Sequence, residues 1–345
     1  MRSWRFWMLS AATAMVGVTM SVIAADGPYS KLTEIPVGGA ARFDYLNVDS
    51  AAKRLYVTHG TEVVVIDTAS NTVVGRIADT PGVHGIAIAS NGKGFTSNGS
   101  ENKVSIVDLK TLQTLSKVDT GRNPDAILYE ATKKEVYAFN HTGNSATVIN
   151  ADTGAVVAEI PLAGTAETGQ ADAAIGRVFV NIEDKNSVDV IDMATHKVVA
   201  NWPLAPATTP TGMAIDTANH RLFVGGGKFM VSVDTRSGKV VATAPICTGT
   251  DATWFDPGTK LVFASCSDGS ITVMHQDTPD TLSVVQTVST TRGARTMALD
   301  TATHRIYTAG AKYPTVDPSA APAAGGRGPA ALPESFHVLV FEMKP

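Results

Sequence analysis

Apolar positions in this chain come in short runs of four to six residues, closed off by Gly, Asp, Asn, Ser or Pro, and few stretches keep a helical period for long. Such runs read as β-strands separated by turns. Seven of them carry an aromatic residue at nearly constant spacing: Tyr56, Phe95, Tyr137, Phe179, Phe223, Phe263 and Tyr307, at intervals of 39, 42, 42, 44, 40 and 44 residues. The text around these anchors repeats as well, in RLYVT, KGFTS, EVYAF, RVFVN, RLFVG, LVFAS and RIYTA. The repeat around Phe223 resolves into four strands over residues 211–216, 221–224, 230–234 and 239–243. A period near 42 residues that holds four strands predicts an all-β, seven-bladed β-propeller, one blade per repeat.

Strand order in the last repeat predicts how the ring closes. Its third strand, residues 338–341, is followed by no fourth. Segment 31–37 has outer-strand character and is expected to complete the last blade, removing the edge an open ring would leave. Five third strands end in Asp67, Asp108, Asn150, Asp192 and Asp234, where a short acceptor side chain is expected to take the N–H groups of the following turn. Blade six departs from this with His275 and Gln276. Residues 311–335, rich in Pro, Ala and Gly, interrupt blade seven between its second and third strands. They read either as a lid over the central mouth or as a tolerated insertion.

Composition narrows the function classes. With 345 residues, 17% charged and 44% hydrophobic, length alone suggests two domains, but a ring of blades makes one. Net charge is −4 and no Lys and Arg cluster of five to eight residues occurs, so the basic footprint of a nucleic-acid binder is missing. Arg2 and Arg5, an apolar stretch over residues 6–23 and the small-residue pattern of Val22, Ile23 and Ala24 read as a signal peptide over residues 1–24. The propeller then spans residues 25–345, with 26 Lys and Arg against 32 acids, and no membrane span remains after cleavage. A periplasmic or secreted location follows from that reading. Cys247 and Cys266 fall at one face on adjacent strands of blade six, so a disulfide, a free pair or a soft-metal site are the options, with the disulfide favoured in an oxidising compartment.

RLYVT at residues 54–58 and VVVID at residues 63–67 resemble the pattern of the YVTN-repeat propellers, specifically the YncE-like group of exported seven-bladed β-propellers. The resemblance covers residues 31 to the C-terminus. It implies a periplasmic or surface location and says little about activity. Nucleic-acid binding has been proposed within the group, whereas more distant propellers of similar shape include lactonases, lyases and quinone-dependent dehydrogenases.

A site is expected where inter-blade loops surround the channel. The entry residue of each inner strand lies twelve positions before the aromatic anchor (eleven in blade two): Asp44, His84, Asp125, Glu167, Thr211, Asp251 and Arg295. Six of the seven are ionisable, in a slot where packing favours small or apolar side chains. His59, Asn98, Asn140, His141, Glu183, Asp184 and Lys312 from neighbouring loops are expected at the same mouth. Such a ring can hold a divalent metal, with Asp44, His84, Asp125 and Asp251 as candidate ligands. It can supply acid–base catalysis through His84, Asp125, Glu167 or Arg295. It can also bind a small polar ligand, Arg295 engaging a carboxylate or phosphate. The leading expectation is an exported binding or interaction protein, monomeric, with a small polar ligand or a protein partner at the channel face. A metal-assisted lactonase or hydrolase is the alternative, and nucleic-acid binding a weaker one. His196, His220, His275, His304 and His337 lie at turns or strand ends and read as surface histidines. Gly225 to Lys228 lacks P-loop spacing, and no haem-attachment, EF-hand or repeated Trp motif occurs.

Overall fold

The computed structural model describes residues 27–314 and 330–344. The leader reading of residues 1–24 and most of the 311–335 insertion lie outside these. Seven four-stranded antiparallel sheets form the ring. Blade one is Phe43–Asp49, Arg54–His59, Glu62–Asp67 and Thr72–Ile77, from the channel outward. Five blades of the same consecutive order follow. In blade five the strands are Pro210–Asp216, Arg221–Gly226, Phe229–Asp234 and Val240–Pro245, within two residues of the sequence reading at every end.

Blade seven closes the ring as the strand count predicts. Met297–Asp300, Arg305–Gly310 and His337–Met343 are joined at the outside by Tyr29–Pro36, which pairs antiparallel with His337–Met343 from Tyr29↔Met343 to Pro36↔His337. Tyr29 is buried, its ring edge-on to Phe263 at 5.5 Å, and its hydroxyl donates to the carbonyl of His304 at 2.9 Å.

The core lies between blades rather than in one centre. Tyr56, Val63, Val65 and Ile77 of blade one pack on Val83, Ile86 and Val107 of blade two, and equivalent layers follow round the ring. All seven aromatic anchors are at most 1% exposed, which is why they recur: each is the large residue that fills one inter-blade gap. The polar turn residues are equally repetitive. Asp67 Oδ1 accepts the N–H groups of Ala69 and Ser70 and the Ser70 hydroxyl, and Asp108, Asn150, Asp192 and Asp234 do the same with their own turns. Those bonds, together with Arg54, hold Asp67 down at about 2.

Four histidines are not the plain surface residues their positions suggest. His337 is 2% exposed; its Nδ1 donates to the Ser335 carbonyl at 2.8 Å and its Nε2 meets the Thr291 hydroxyl at 3.1 Å. His220, His304 and His196 lie on the opposite face but pair with Asp172, Asp256 and Glu135. Acids that end one blade's inner or begin its second strand are desolvated there, and a histidine from a nearby turn supplies the compensating partner.

Cys247 and Cys266 are bonded, with Cα atoms 5.8 Å apart and 19 positions apart in sequence. A cross-link over about 15 residues removes roughly 3 kcal/mol of unfolded-chain entropy. Reduction by dithiothreitol is therefore expected to lower stability by about that amount, read as a drop in denaturation midpoint that a Cys247→Ser, Cys266→Ser double variant reproduces.

Candidate functional site

Every inner strand of blades one to six loses its ladder register just after its first residue. The shifts fall between Phe43 and Leu46, Val83 and Gly85, Pro124 and Ile127, Ala166 and Gly169, Pro210 and Gly212, and Thr250 and Ala252. Asp44, His84, Asp125, Glu167, Thr211 and Asp251 therefore sit in β-bulges, which re-aim a side chain and leave backbone groups unpaired. Hydroxyls take up those groups. Thr58 Oγ1 accepts from the Asp44 N–H at 3.0 Å, Ser97 Oγ donates to the Asp125 carbonyl one blade on, and Thr296 Oγ1 donates to the Asp44 carbonyl at 2.7 Å. Thr211 donates to the Thr250 carbonyl at 2.7 Å, so its hydroxyl joins two blades rather than facing a ligand.

The ionisable side chains then converge. His84 Nδ1 lies 2.6 Å from Asp44 Oδ2 and 3.6 Å from Asp125 Oδ1. His141 Nδ1 lies 3.0 Å from Glu167 Oε1, close enough for an ion pair but off-line for a directed hydrogen bond, and 3.8 Å from Asp125 Oδ2. One donor atom each from Asp44, His84 and Asp125, and one each from Asp125, His141 and Glu167, fall within 4.8 Å of one another. Asp125 belongs to both sets. Arg295 Nε pairs with Asp251 Oδ2 beside them, its side chain half exposed.

Burial and like charge shape the titration. Burial lifts Asp125 well above the usual carboxylate range; Glu167 and Asp44 add to this, and the two histidines oppose it. Burial likewise pushes Asp251 up to about 7 despite its ion pair with Arg295. Burial works against charge on His84, but the Asp44 hydrogen bond and the Asp125 carboxylate outweigh it and raise the imidazole. The Glu167 carboxylate lifts His141 to about 9. Glu183 is raised by burial and by Glu167.

Of the seven residues expected from the neighbouring loops, His141 and Glu183 reach this cluster. Asn98 and Asn140 are buried in the blade ends, donating to Ser105 and Thr147. Asp184 accepts from the Thr165 N–H, and Lys312 pairs with Glu34. His59, expected among the ligand-binding residues, stacks flat against Phe336 at 4.5 Å and gives its nitrogens to the Ala40 carbonyl and Glu62. Its chemistry is spent on holding the ends of residues 37–43 and 330–336 together.

Tyr45 is the residue that the sequence reading missed. Its hydroxyl donates to Glu167 Oε2 at 3.2 Å, crossing from blade one to blade four. A signal existed: the slot after the entry residue holds Gly85, Ala126, Thr168, Gly212, Ala252 and Thr296 in the other repeats, and only the first repeat places a large side chain there. Tyr45 also borders a channel cavity of about 280 Å³ lined by Asn47, Tyr129, Gln170, Met213 and Trp254. The amide groups of Asn47 and Gln170 and the Trp254 indole are already bonded to the wall's carbonyls, so the ionisable chemistry sits at the mouth and not in this cavity.

No protein-family model matches the chain. Over 149 residues, 41% of this chain and 42% of the relative, it is 29% identical to the uncharacterised protein YncE of Salmonella typhi. It is 28% identical over the same length to YncE of Salmonella typhimurium. The match thus spans about two-fifths of the length of these relatives. Among solved structures, Kuenenia stuttgartiensis hydrazine synthase superposes with a TM-score of 0.68 at 15% identity, covering 84% of this chain and 95% of that one. A chain of the mitotic checkpoint complex superposes with a TM-score of 0.69 at 13% identity, covering 89% and 95%. Likeness at such identity carries the fold alone. Fold and mouth together define a seven-bladed β-propeller with an ionisable ring at one end of its channel. Within that class the chain is similar, over about two-fifths of its length, to the YncE proteins. Among the described residues, no helix is long and apolar enough to cross a membrane.

Proposed function

We propose that this chain is an exported binding protein that captures a divalent cation at the channel mouth. The observation that carries the reading is the approach of Asp44, His84, Asp125, His141 and Glu167 donor atoms to within 4.8 Å in two sets sharing Asp125. A mixed imidazole and carboxylate set suits a borderline or hard divalent ion such as zinc or manganese. Export rests on the leader reading of residues 1–24, and an oxidising destination accords with the bonded Cys247 and Cys266.

The test is metal content by mass spectrometry on protein purified without chelator or immobilised metal, followed by titration of the demetallated protein. Loss of an outer partner alone costs a metal site about 10–100-fold in affinity, so Asp125→Ala is expected to cost at least that. Failure of the wild-type protein to bind zinc, manganese, calcium or copper at submillimolar concentration would sink the reading.

A further inference from the structure

We propose that the mouth takes two divalent cations, bridged by the carboxylate of Asp125. This deepens the cation-binding reading and rests on it. The geometry of one residue carries it. Asp125 turns Oδ1 toward His84 Nδ1 at 3.6 Å and Oδ2 toward His141 Nδ1 at 3.8 Å, so its two oxygens serve two different imidazoles. Its carboxylate belongs to a residue only 8% exposed and has no hydrogen-bond donor at ordinary distance among the described residues. A carboxylate that faces two imidazoles without bonding either, with Asp44 and Glu167 beside it, is a natural ligand for cations.

The spacing fits metal coordination better than hydrogen bonding. Donors each about 2.1 Å from a tetrahedral ion stand roughly 3.4 Å apart, near the two distances around Asp125 and too long for a hydrogen bond. The first ion is held by Asp44, His84 and Asp125, the second by Asp125, His141 and Glu167. A carboxylate with one oxygen on each ion sets the pair about 3.5–4 Å apart, as in two-metal sites generally. Each ion then has three protein donors and keeps a position open, the arrangement of sites that receive an exogenous ligand rather than of closed structural sites. Arg295 stands next to them, engaging Asp251 through Nε alone. The ligand class that two cations and a guanidinium select is a small oxyanion, a carboxylate or a phosphate.

Metal entry must break the 2.6 Å contact between His84 and Asp44 and displace Tyr45 from Glu167 or share that carboxylate with it. A cation on His84 Nδ1 displaces the proton held between His84 and Asp44, whereas the Tyr45 hydroxyl keeps its own, so binding is expected to liberate a proton from the first contact.

The experiment titrates demetallated, full-length mature protein with manganese, following stoichiometry by calorimetry and spin coupling by electron paramagnetic resonance. Two ions per chain with an exchange-coupled signal are expected. Asp44→Asn and Glu167→Gln should each reduce the count from two to one and abolish the coupled signal, with the fold checked by circular dichroism. Because these two changes strike different ions, misfolding of one variant leaves the other to decide. One ion in the wild type overturns the bridged pair and leaves the cation site standing. Two uncoupled ions overturn the bridge. No ion overturns both readings.

Discussion

A chain lacking residues 27–36 is expected to give no cooperative melt and to aggregate on expression. Three losses combine. The strand Tyr29–Pro36 supplies seven register pairs to His337–Met343, and without it the unpaired edge of blade seven becomes a template for association. Tyr29 and Ile35 are 2% and 3% exposed, and fully burying side chains of this size is worth about 1.5–3 kcal/mol each. Tyr29 further holds blade six: its backbone N–H donates to Gln286 Oε1 at 2.9 Å and its carbonyl accepts from Gln286 Nε2 at 2.8 Å. Side-chain burial alone, about 3–6 kcal/mol for the two, then reaches the lower end of the about 5–15 kcal/mol by which a whole protein is stable. A synthetic peptide of residues 27–37 added during refolding is expected to restore a melt, because the pairing is non-covalent. If the truncated chain melts like the full one, the last blade stands on three strands and the closing strand is an ornament of the ring.

That closure was legible because it follows from counting: six repeats hold four strands and the seventh holds three, so one segment has to return. The site positions were legible for a related reason. Bulges place Asp44, Asp125, Glu167 and Asp251 twelve positions, and His84 eleven, before the aromatic anchors, and a near-constant offset survives in the sequence even though the bulge itself leaves no mark. What the residues then touch was not legible. Asn98 and Asn140 occupy the same kind of strand end as His141's neighbourhood, but burial inside the blade turns them into bonds to Ser105 and Thr147. His59 was read as a ligand-binding residue because it carries the right group at the right end of a strand. Phe336, distant in sequence, claims its face instead. Tyr45 escaped because an aromatic in a propeller reads as core, and only comparison across the seven slots shows that its neighbours are small. Partition of the ring into two cation triads and a separate Asp251–Arg295 pair depends on side-chain reach across the channel, which no repeat alignment contains.

Replacing Asp125 by Asn separates binding from stability, and opposite effects on the two are expected. In wild type, burial together with Glu167 and Asp44 holds the carboxyl well above the usual carboxylate range. The folded state therefore keeps a proton that the unfolded chain gives up near pH ~4. Where the native pKa of an acid is raised, stability is full below the unfolded value and falls as pH climbs through the native one, because the unfolded state then binds fewer protons. Asparagine keeps the neutral shape at every pH and removes that fall, so the demetallated variant is expected to match wild type at pH 4 and exceed it at pH 8 in the presence of chelator. With cation the order reverses. A ligand at 1,000 times its dissociation constant stabilises by about 4 kcal/mol, which wild type gains and the variant does not. Thermal melts at the two pH values, with and without manganese, read all four states. A variant weaker than wild type at pH 8 under chelator would make Asp125 the partner that His84 and His141 need for folding, and its loss of metal would then be a consequence of damage. A variant that is firmer without cation and indifferent to it leaves one physical account: the carboxylate is kept buried among like charges, at a cost in stability, because the cation that it serves repays that cost only when bound.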